Sequence, residues 1–140
     1  MEIKLIKEKT ALAFTATDGK AIAQLSAGTK YGGTEDALSP MQLVLSSLGA
    51  CMSIDVVLIL KKQKQVIENY EVNITGKRAD GTPAVFTDVN VHIAVTGQVE
   101  ESKLKKAIQL SEEKYCSVSD MLKNSVNITT SCSVISTTTG

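Results

Sequence analysis

The sequence predicts an α+β fold in one domain that spans residues 1–140. Three observations predict it. Apolar and polar residues alternate in the first third of the chain and again after about residue 70, as in half-buried strands. A long apolar segment between them has the length of a helix, and a second helical region precedes a last alternating segment. Strands and helices therefore come in separate runs, which favours α+β over an alternating α/β order.

The N-terminal third is predicted to form strands. The apolar members of its alternation are Ile3 and Leu5, followed by Leu12, Phe14 and Ala16. Asp18-Gly19 is a tight-turn dipeptide, so residues 10–25 are predicted to form a hairpin. The polar, glycine-rich residues 28–38 are predicted to form a loop.

A helix is predicted to start at Ser39. Ser39 stands at the N-cap position, Pro40 at the first helical position and Gln42 at the third, which is a capping box with proline in its preferred place. The helix is predicted to run from about Pro40 to about Lys64. The lysines near its end complement the negative end of the helix dipole.

The core of this helix could also be interpreted as a membrane span. Residues 43–60 contain a single charged side chain, Asp55, and their length just suffices. A carboxylate in hydrocarbon costs about 3 kcal/mol, and several serines lower the hydrophobicity further. We therefore predict a central helix of a soluble protein rather than a membrane span.

The second half of the chain is predicted to contain strands, two helices and a last strand. In chain order we predict a strand at 70–74, a turn at 77–83, a strand at 89–95, helices near 100–115 and 118–124, and a strand at 126–135. His92 falls opposite the apolar face of its strand and is predicted to be a structural or surface histidine. Cys132 is in phase with the apolar residues of the last strand and is predicted to lie in the core.

Composition excludes several classes of function. Lys plus Arg and Asp plus Glu each number 15, and aromatic residues make up 4%, so neither charge nor base stacking favours nucleic acid as a partner. The charged start lacks the apolar segment of a signal peptide, which indicates a cytoplasmic protein. With one histidine, three cysteines and no CxxC pair, the sequence predicts no metal site.

Cys51 and Cys116 are the candidate reactive groups. Cys51 lies midway along the apolar helix, and Cys116 comes just before a predicted N-cap, where the helix dipole stabilises a thiolate. Asp55 shares a helix face with Cys51 and could orient a partner, although a carboxylate there would raise the pKa of a neighbouring thiol. The alternative is that the cysteines are inert, because most buried cysteines are.

Three segments resemble a known family. SPMQLVLSSLGACMSIDVV (39–57), VFTDVNVHIAVTG (85–97) and LSEEKYCSVSDML (110–122) are similar in order and spacing to the OsmC/Ohr family, the osmotically inducible protein C and organic hydroperoxide resistance proteins. The likeness is greatest to the OsmC-like subgroup typified by YhfA and covers nearly the whole chain.

The resemblance implies a fold, a partner and a reaction. The fold is an intertwined homodimer in which long central helices are wrapped by antiparallel β-sheets, with two sites at the dimer interface. The implied activity is reduction of organic hydroperoxides in oxidative-stress defence. Cys51 would be the peroxidatic thiolate, Cys116 the resolving cysteine, and an external dithiol the reductant, with no cofactor and no metal.

The chain departs from the family pattern at two positions. Active members carry a glutamate ten residues before the first cysteine, where this chain has Met41, and an arginine in the N-terminal strands. The only arginine here is Arg78, and Arg78, Lys77 or Lys20 would have to substitute. Asp55, Arg78 and Glu113 are therefore the candidate supporting residues beside the two cysteines.

Two hypotheses follow for the function. The retained cysteine pair favours a thiol-dependent peroxidase that acts on organic hydroperoxides. The missing glutamate and arginine favour an OsmC-fold protein that binds a small apolar ligand or a partner at the dimer interface without efficient turnover.

Overall fold

The computed structural model describes residues 1–137, and its elements follow the predicted order. The strands are β1 Lys4–Lys7, β2 Ala13–Thr17, β3 Ile22–Ser26, β4 Val66–Arg78, β5 Phe86–Gln98 and β6 Asn127–Ser136. The helices are α1 Pro40–Lys62, α2 Glu101–Leu110 and α3 Ser117–Leu122, with a 3-10 turn at Thr29–Tyr31 and a π-helical turn at Ser111–Tyr115. The α+β class is confirmed.

The described chain divides into two compact units, and the first comprises Met1–Val44. Strands β1, β2 and β3 form its antiparallel sheet. The predicted hairpin turn is present, because the Asp18 carboxylate accepts hydrogen bonds from the backbone N–H groups of Lys20 and Ala21 at 2.9 and 2.8 Å. The predicted capping box is present too: Ser39 N–H donates to Gln42 Oε1, and Gln42 N–H donates to Ser39 Oγ.

The second unit begins at Leu45 and contains the sheet β4-β5-β6. Strands β4 and β5 pair in antiparallel fashion, as expected, but β6 pairs with β5 in parallel. The expectation of antiparallel sheets is therefore corrected for this pair. The reason is the connection, because α2, the π-helical turn and α3 return the chain across the sheet, and such crossovers produce parallel pairing.

Helix α1 packs one face on this sheet. The buried residues of the helix recur with a spacing of four and are Leu48, Met52, Val56 and Leu60. Those of strand β5 recur with a spacing of two and include Val91, Ile93 and Val95. Gly49 allows a close approach, because a Cβ there would lie 2.5 Å from Ile74 Cδ1.

The opposite face of α1 carries exposed apolar side chains. Ile54 and Leu58 are 62% and 53% exposed, and they lie four residues apart on one stripe with the exposed Ala50. By length and composition α1 could cross a bilayer, and 28% of its most apolar window is buried within the described chain. Core helices of soluble proteins have the same length and composition. The low buried fraction shows that a single chain covers the predicted central helix only in part.

His92 and Cys132 lie on opposite faces of the sheet. His92 is on the face away from α1, with its imidazole nitrogens 2.8 and 3.3 Å from the Ser131 and Ser133 hydroxyls, as predicted for a structural histidine. The prediction of Cys132 as a core residue is wrong, because its side chain is only half-buried. Its strand β6 is at the edge of the sheet, so Cys132 lines an open groove of about 250 Å³ instead of a closed core.

Candidate functional site

Cys116 is the N-cap residue of α3. Its Sγ accepts a hydrogen bond from Ser119 N–H at 3.3 Å, so the sulfur occupies the position that a serine or aspartate oxygen usually takes. The sequence prediction placed the N-cap one residue later, at Ser117, which is the first helical residue instead. The capping position of Cys116 turns its side chain inward, where it is 3% exposed.

Cys51 and Cys116 are brought together by the fold. The half-buried Cys51 thiol is a hydrogen-bond partner of the Cys116 thiol. A negative charge on Cys51 would also disfavour a second negative charge on Cys116. Burial, followed by these interactions with Cys51, raises the pKa of Cys116 to about 11. The two cysteines are 65 positions apart in sequence (116 minus 51), and the packing of the π-helical turn against α1 brings them together.

The expected effect of the helix start on Cys116 is present but outweighed. The hydrogen bonds from the Ser119 and Val118 N–H groups lower the pKa of this thiol, as predicted for a helix N-terminus. Burial raises it by more, because the low-polarity surroundings disfavour the charged thiolate. Cys116 is therefore a protonated thiol at neutral pH and not an activated thiolate.

Asp55 binds the segment that carries Cys116. Its Oδ2 accepts a hydrogen bond of 2.8 Å from the hydroxyl of Ser111, which is fully buried at the start of the π-helical turn. The Ser111 carbonyl accepts a hydrogen bond from Cys116 N–H, also at 2.8 Å. Asp55 thus lies one helical turn after Cys51 and connects to Cys116 through a single residue.

One groove is lined by Cys116, and a second is lined by Asp55 and by Tyr115, which precedes Cys116. The first, of about 140 Å³, has Glu113 and Asp120 among its other lining residues. The second, of about 210 Å³, is also lined by Leu58, Ile59 and Lys62. Glu113 is exposed and accepts a hydrogen bond from Gln109 at 3.0 Å, so it lies on the rim of the first groove.

The structure places the basic candidates in turns and at strand ends. Arg78 is exposed, and its Nε donates to the Ala84 carbonyl at 2.8 Å across its own turn. Lys77 lies opposite Asp88 in the β4–β5 register. The pKa of the Asp88 carboxyl is lowered mainly by side-chain hydrogen bonds from Asn127 and Thr87, and to a smaller extent by the charge of Lys77. Lys20 is in the β2–β3 turn of the first unit, and Met41 is half-buried in the first turn of α1.

Ser111 and Ser119 are residues of the site that the sequence pattern alone does not reveal. Ser111 lies in the helical region predicted near residues 100–115 and is 0% exposed, but its hydrogen bond to Asp55 is a long-range contact that periodicity cannot show. Ser119 acts through its backbone N–H, and the misplaced N-cap concealed it. A buried serine among apolar residues is the signal that could have pointed to Ser111. Within residues 1–137, no group of three or more His, Cys, Asp or Glu side chains is placed to hold a metal ion.

The fold and the paired cysteines agree with a defined class of proteins. The family model described as OsmC-like protein matches residues 33–131, which is well over half of the chain. The chain therefore belongs to the OsmC-like family.

Individual relatives support the same assignment. The chain is 38% identical to protein YhfA of Escherichia coli strain K12 over 134 residues, which is 95% of this chain and 96% of YhfA. A crystal structure of a protein from Aquifex aeolicus VF5 superposes with a TM-score of 0.85 at 32% identity and covers 98% of this chain and 97% of that one. An organic hydroperoxide resistance protein OsmC from Legionella pneumophila shares the fold, with a TM-score of 0.70 at 20% identity over 96% and 98% of the two chains.

Proposed function

We propose that the protein is a thiol-dependent peroxidase that reduces organic hydroperoxides. The Cys51 thiolate attacks the hydroperoxide, takes one oxygen and becomes a sulfenic acid, and the alcohol leaves. The Cys116 sulfur then attacks the sulfenic sulfur, which forms a disulfide and releases water. An external dithiol reduces the disulfide to two thiols. The observation that carries this proposal is the placement of Cys116 near Cys51: the two thiols interact, and hydrogen bonds through Ser111 join the Cys116 segment to the turn of α1 that follows Cys51.

The environment of Cys116 supports the assignment of roles. With a pKa of about 11, Cys116 keeps its proton at neutral pH, so we assign the first attack to Cys51. One of the causes of that raised pKa is the charge of Cys51 itself. Burial, the largest cause of the raised pKa, is independent of Cys51, so we assign Cys116 the second attack and not the first.

Related proteins support the chemical class. The Legionella pneumophila protein with the same fold is described as an organic hydroperoxide resistance protein. We extend this function to the present chain on the cysteine pair, and we place it in oxidative-stress defence in the cytoplasm, where dithiol reductants are available. Neither step of the proposed cycle requires a metal or a cofactor.

The experiment that tests the proposal is a count of free thiols. The reduced protein is mixed with less than one equivalent of cumene hydroperoxide, and any disulfide is mapped by mass spectrometry. Fast loss of two thiols per hydroperoxide, mapped to Cys51 and Cys116, is the expected result. Persistence of all three thiols over many minutes would reject the peroxidase.

The second candidate function is binding without turnover. In this alternative the OsmC fold holds a small apolar ligand or a partner at the dimer interface. Met41 stands where the family glutamate is expected, and Arg78 is bonded to a carbonyl of its own turn, which favours this alternative. If the thiols persist in the count above, extraction of the purified protein and mass spectrometry for a bound apolar compound is the next measurement.

We further propose that the protein works as a homodimer that covers the exposed stripe of α1. The stripe formed by Ala50, Ile54 and Leu58 is adjacent to Cys51, so a second copy seated there would close the site from water. Ile54→Glu places a charge in this surface and should shift the protein from dimer to monomer in sedimentation velocity. Lys106→Glu, on the exposed side of α2, is the matched control and should leave the dimer intact. A wild-type monomer would contradict the proposal.

A further inference from the structure

We propose that Ser111, held by Asp55, is a positioning residue that fixes the resolving cysteine opposite Cys51 during the second step of the cycle. This inference rests on the proposed peroxidase function. It assigns a role to a buried serine and to the carboxylate on α1, neither of which takes part in the electron transfer itself.

The first contact joins Ser111 to the turn of α1 that carries Cys51. The Ser111 hydroxyl donates to Asp55 Oδ2 at 2.8 Å, and the Met52 carbonyl lies farther away at 3.5 Å. A hydroxyl has one proton to donate, so the shorter contact is the hydrogen bond. Met52 follows Cys51 directly and Asp55 comes one turn later, so Ser111 is bound to the turn of α1 that begins at Cys51.

The second contact joins Ser111 to the backbone of Cys116. The Ser111 carbonyl accepts from Cys116 N–H at 2.8 Å, which is the last hydrogen bond of the π-helical turn. Single π-helical turns occur frequently at functional sites. Two hydrogen bonds through one residue therefore connect the main chain of Cys116 to the helix that carries its reaction partner.

The chemistry of the second step requires such a connection. A Cys51 sulfenic acid has two fates: attack by the Cys116 sulfur gives a disulfide and water, and attack on a second hydroperoxide gives a sulfinic acid and an alcohol. The first fate wins only if Cys116 is held within reach, because a disulfide tolerates little variation in the separation of its Cα atoms. A small displacement of the π-helical turn should therefore slow disulfide formation without affecting the first attack.

The test compares Ser111→Ala with two controls. Ser111→Thr keeps a hydroxyl and should restore the behaviour, and Lys114→Ala changes an exposed side chain of the same turn. After one equivalent of cumene hydroperoxide, rapid quenching with dimedone and mass spectrometry measure the Cys51 sulfenic acid and the disulfide separately. We expect S111A to form sulfenic acid at the wild-type rate and to convert it about tenfold more slowly. With excess hydroperoxide, S111A should accumulate Cys51 sulfinic acid.

A second variant and a second readout keep the test decisive. Asp55→Ala removes the acceptor of the same hydrogen bond and should slow the conversion of the sulfenic acid in the same way. It replaces S111A in the test if circular dichroism shows that S111A folds poorly. Equal slowing of both steps, or unchanged disulfide formation in both folded variants, would overturn the inference.

An equilibrium measurement separates this inference from the proposed function. In mixtures of oxidised and reduced dithiothreitol, the protein gains a disulfide as oxidised dithiothreitol becomes reduced, and no hydroperoxide is involved. S111A should weaken the Cys51–Cys116 disulfide about tenfold in this equilibrium. If the wild type fails to react with cumene hydroperoxide, the peroxidase is rejected while this measurement still tests the positioning. An unchanged equilibrium overturns the positioning alone.

Discussion

Cys116 and Cys132 show how differently one fold can treat two similar thiols. Burial raises the pKa of both. Cys116 is 3% exposed, caps a helix and contacts the Cys51 thiol. Cys132 is half-buried on an edge strand, and the positive charge of Lys105 partly offsets the effect of burial on its pKa. Desolvation is common to both, so what distinguishes Cys116 is the sulfur beside it.

This comparison also explains why exposure alone is a poor guide to thiol chemistry. The more accessible Cys132 lines a groove with no second thiol among its described neighbours, so it has no route to an intramolecular disulfide there. The less accessible Cys116 has its partner in contact. Oxidation of a cysteine by oxidants in solution depends on its thiolate character and on its exposure. A buried, protonated resolving cysteine is therefore protected from direct oxidation.

The largest expected difference lies between removing Cys51 and removing Cys132. Cys51→Ser takes away the proposed nucleophile and should lower the rate of cumene hydroperoxide consumption by at least about a thousandfold. Cys132→Ser changes a thiol outside the pair and should leave the rate unchanged. Consumption of the hydroperoxide in the presence of dithiothreitol measures both.

Cys116→Ser completes this series. It should preserve the first attack and trap the Cys51 sulfenic acid, which dimedone detects. A C132S variant as slow as C51S would contradict the separation of the two thiols. A fully active C51S variant would place the chemistry elsewhere.

Much of the fold could be predicted from local pattern. The capping box at Ser39 and the alternation in β5 each depend on neighbours within a few residues, and the structure contains both. The start of α1 is accordingly at Pro40, as predicted, and its end at Lys62 is two residues earlier than predicted. Local hydrogen bonding and periodicity determine such features.

The site could be predicted only in part, because its decisive contacts are long-range. The cysteine pair was suggested by position and resemblance, whereas the Ser111–Asp55 bond joins residues 56 positions apart. The prediction of Cys132 in the core failed because period-two alternation reports the face of a strand but not whether that strand is at the edge of its sheet. The position of Cys116 at a helix start could be predicted, and N–H groups of that helix lower its pKa, but the burial that outweighs them depends on packing.

A smaller effect should distinguish the two thiols by their pH dependence. Only the thiolate reacts with iodoacetamide, and a pKa raised from 9.0 to about 11 lowers the thiolate fraction of Cys116 roughly a hundredfold at about pH 8. The alkylation rate of Cys116 should therefore still be rising at about pH 10. Two variants with one cysteine each, C51S/C132S and C51S/C116S, isolate Cys116 and Cys132, and mass spectrometry follows the reaction.

The two variants should differ in the pH at which their remaining thiol reacts. Cys132 should react at lower pH, because Lys105 stabilises its thiolate and its side chain is more exposed. Serine at position 51 removes the contribution of the Cys51 thiol to the raised pKa of Cys116 but leaves burial, the larger cause, in place. In guanidinium chloride both thiols should react alike, since unfolding removes burial and neighbours together. If Cys116 reacted in the folded protein at the same pH as Cys132, burial at the helix cap would not control its chemistry, and the protonated state assigned to the resolving thiol would be wrong.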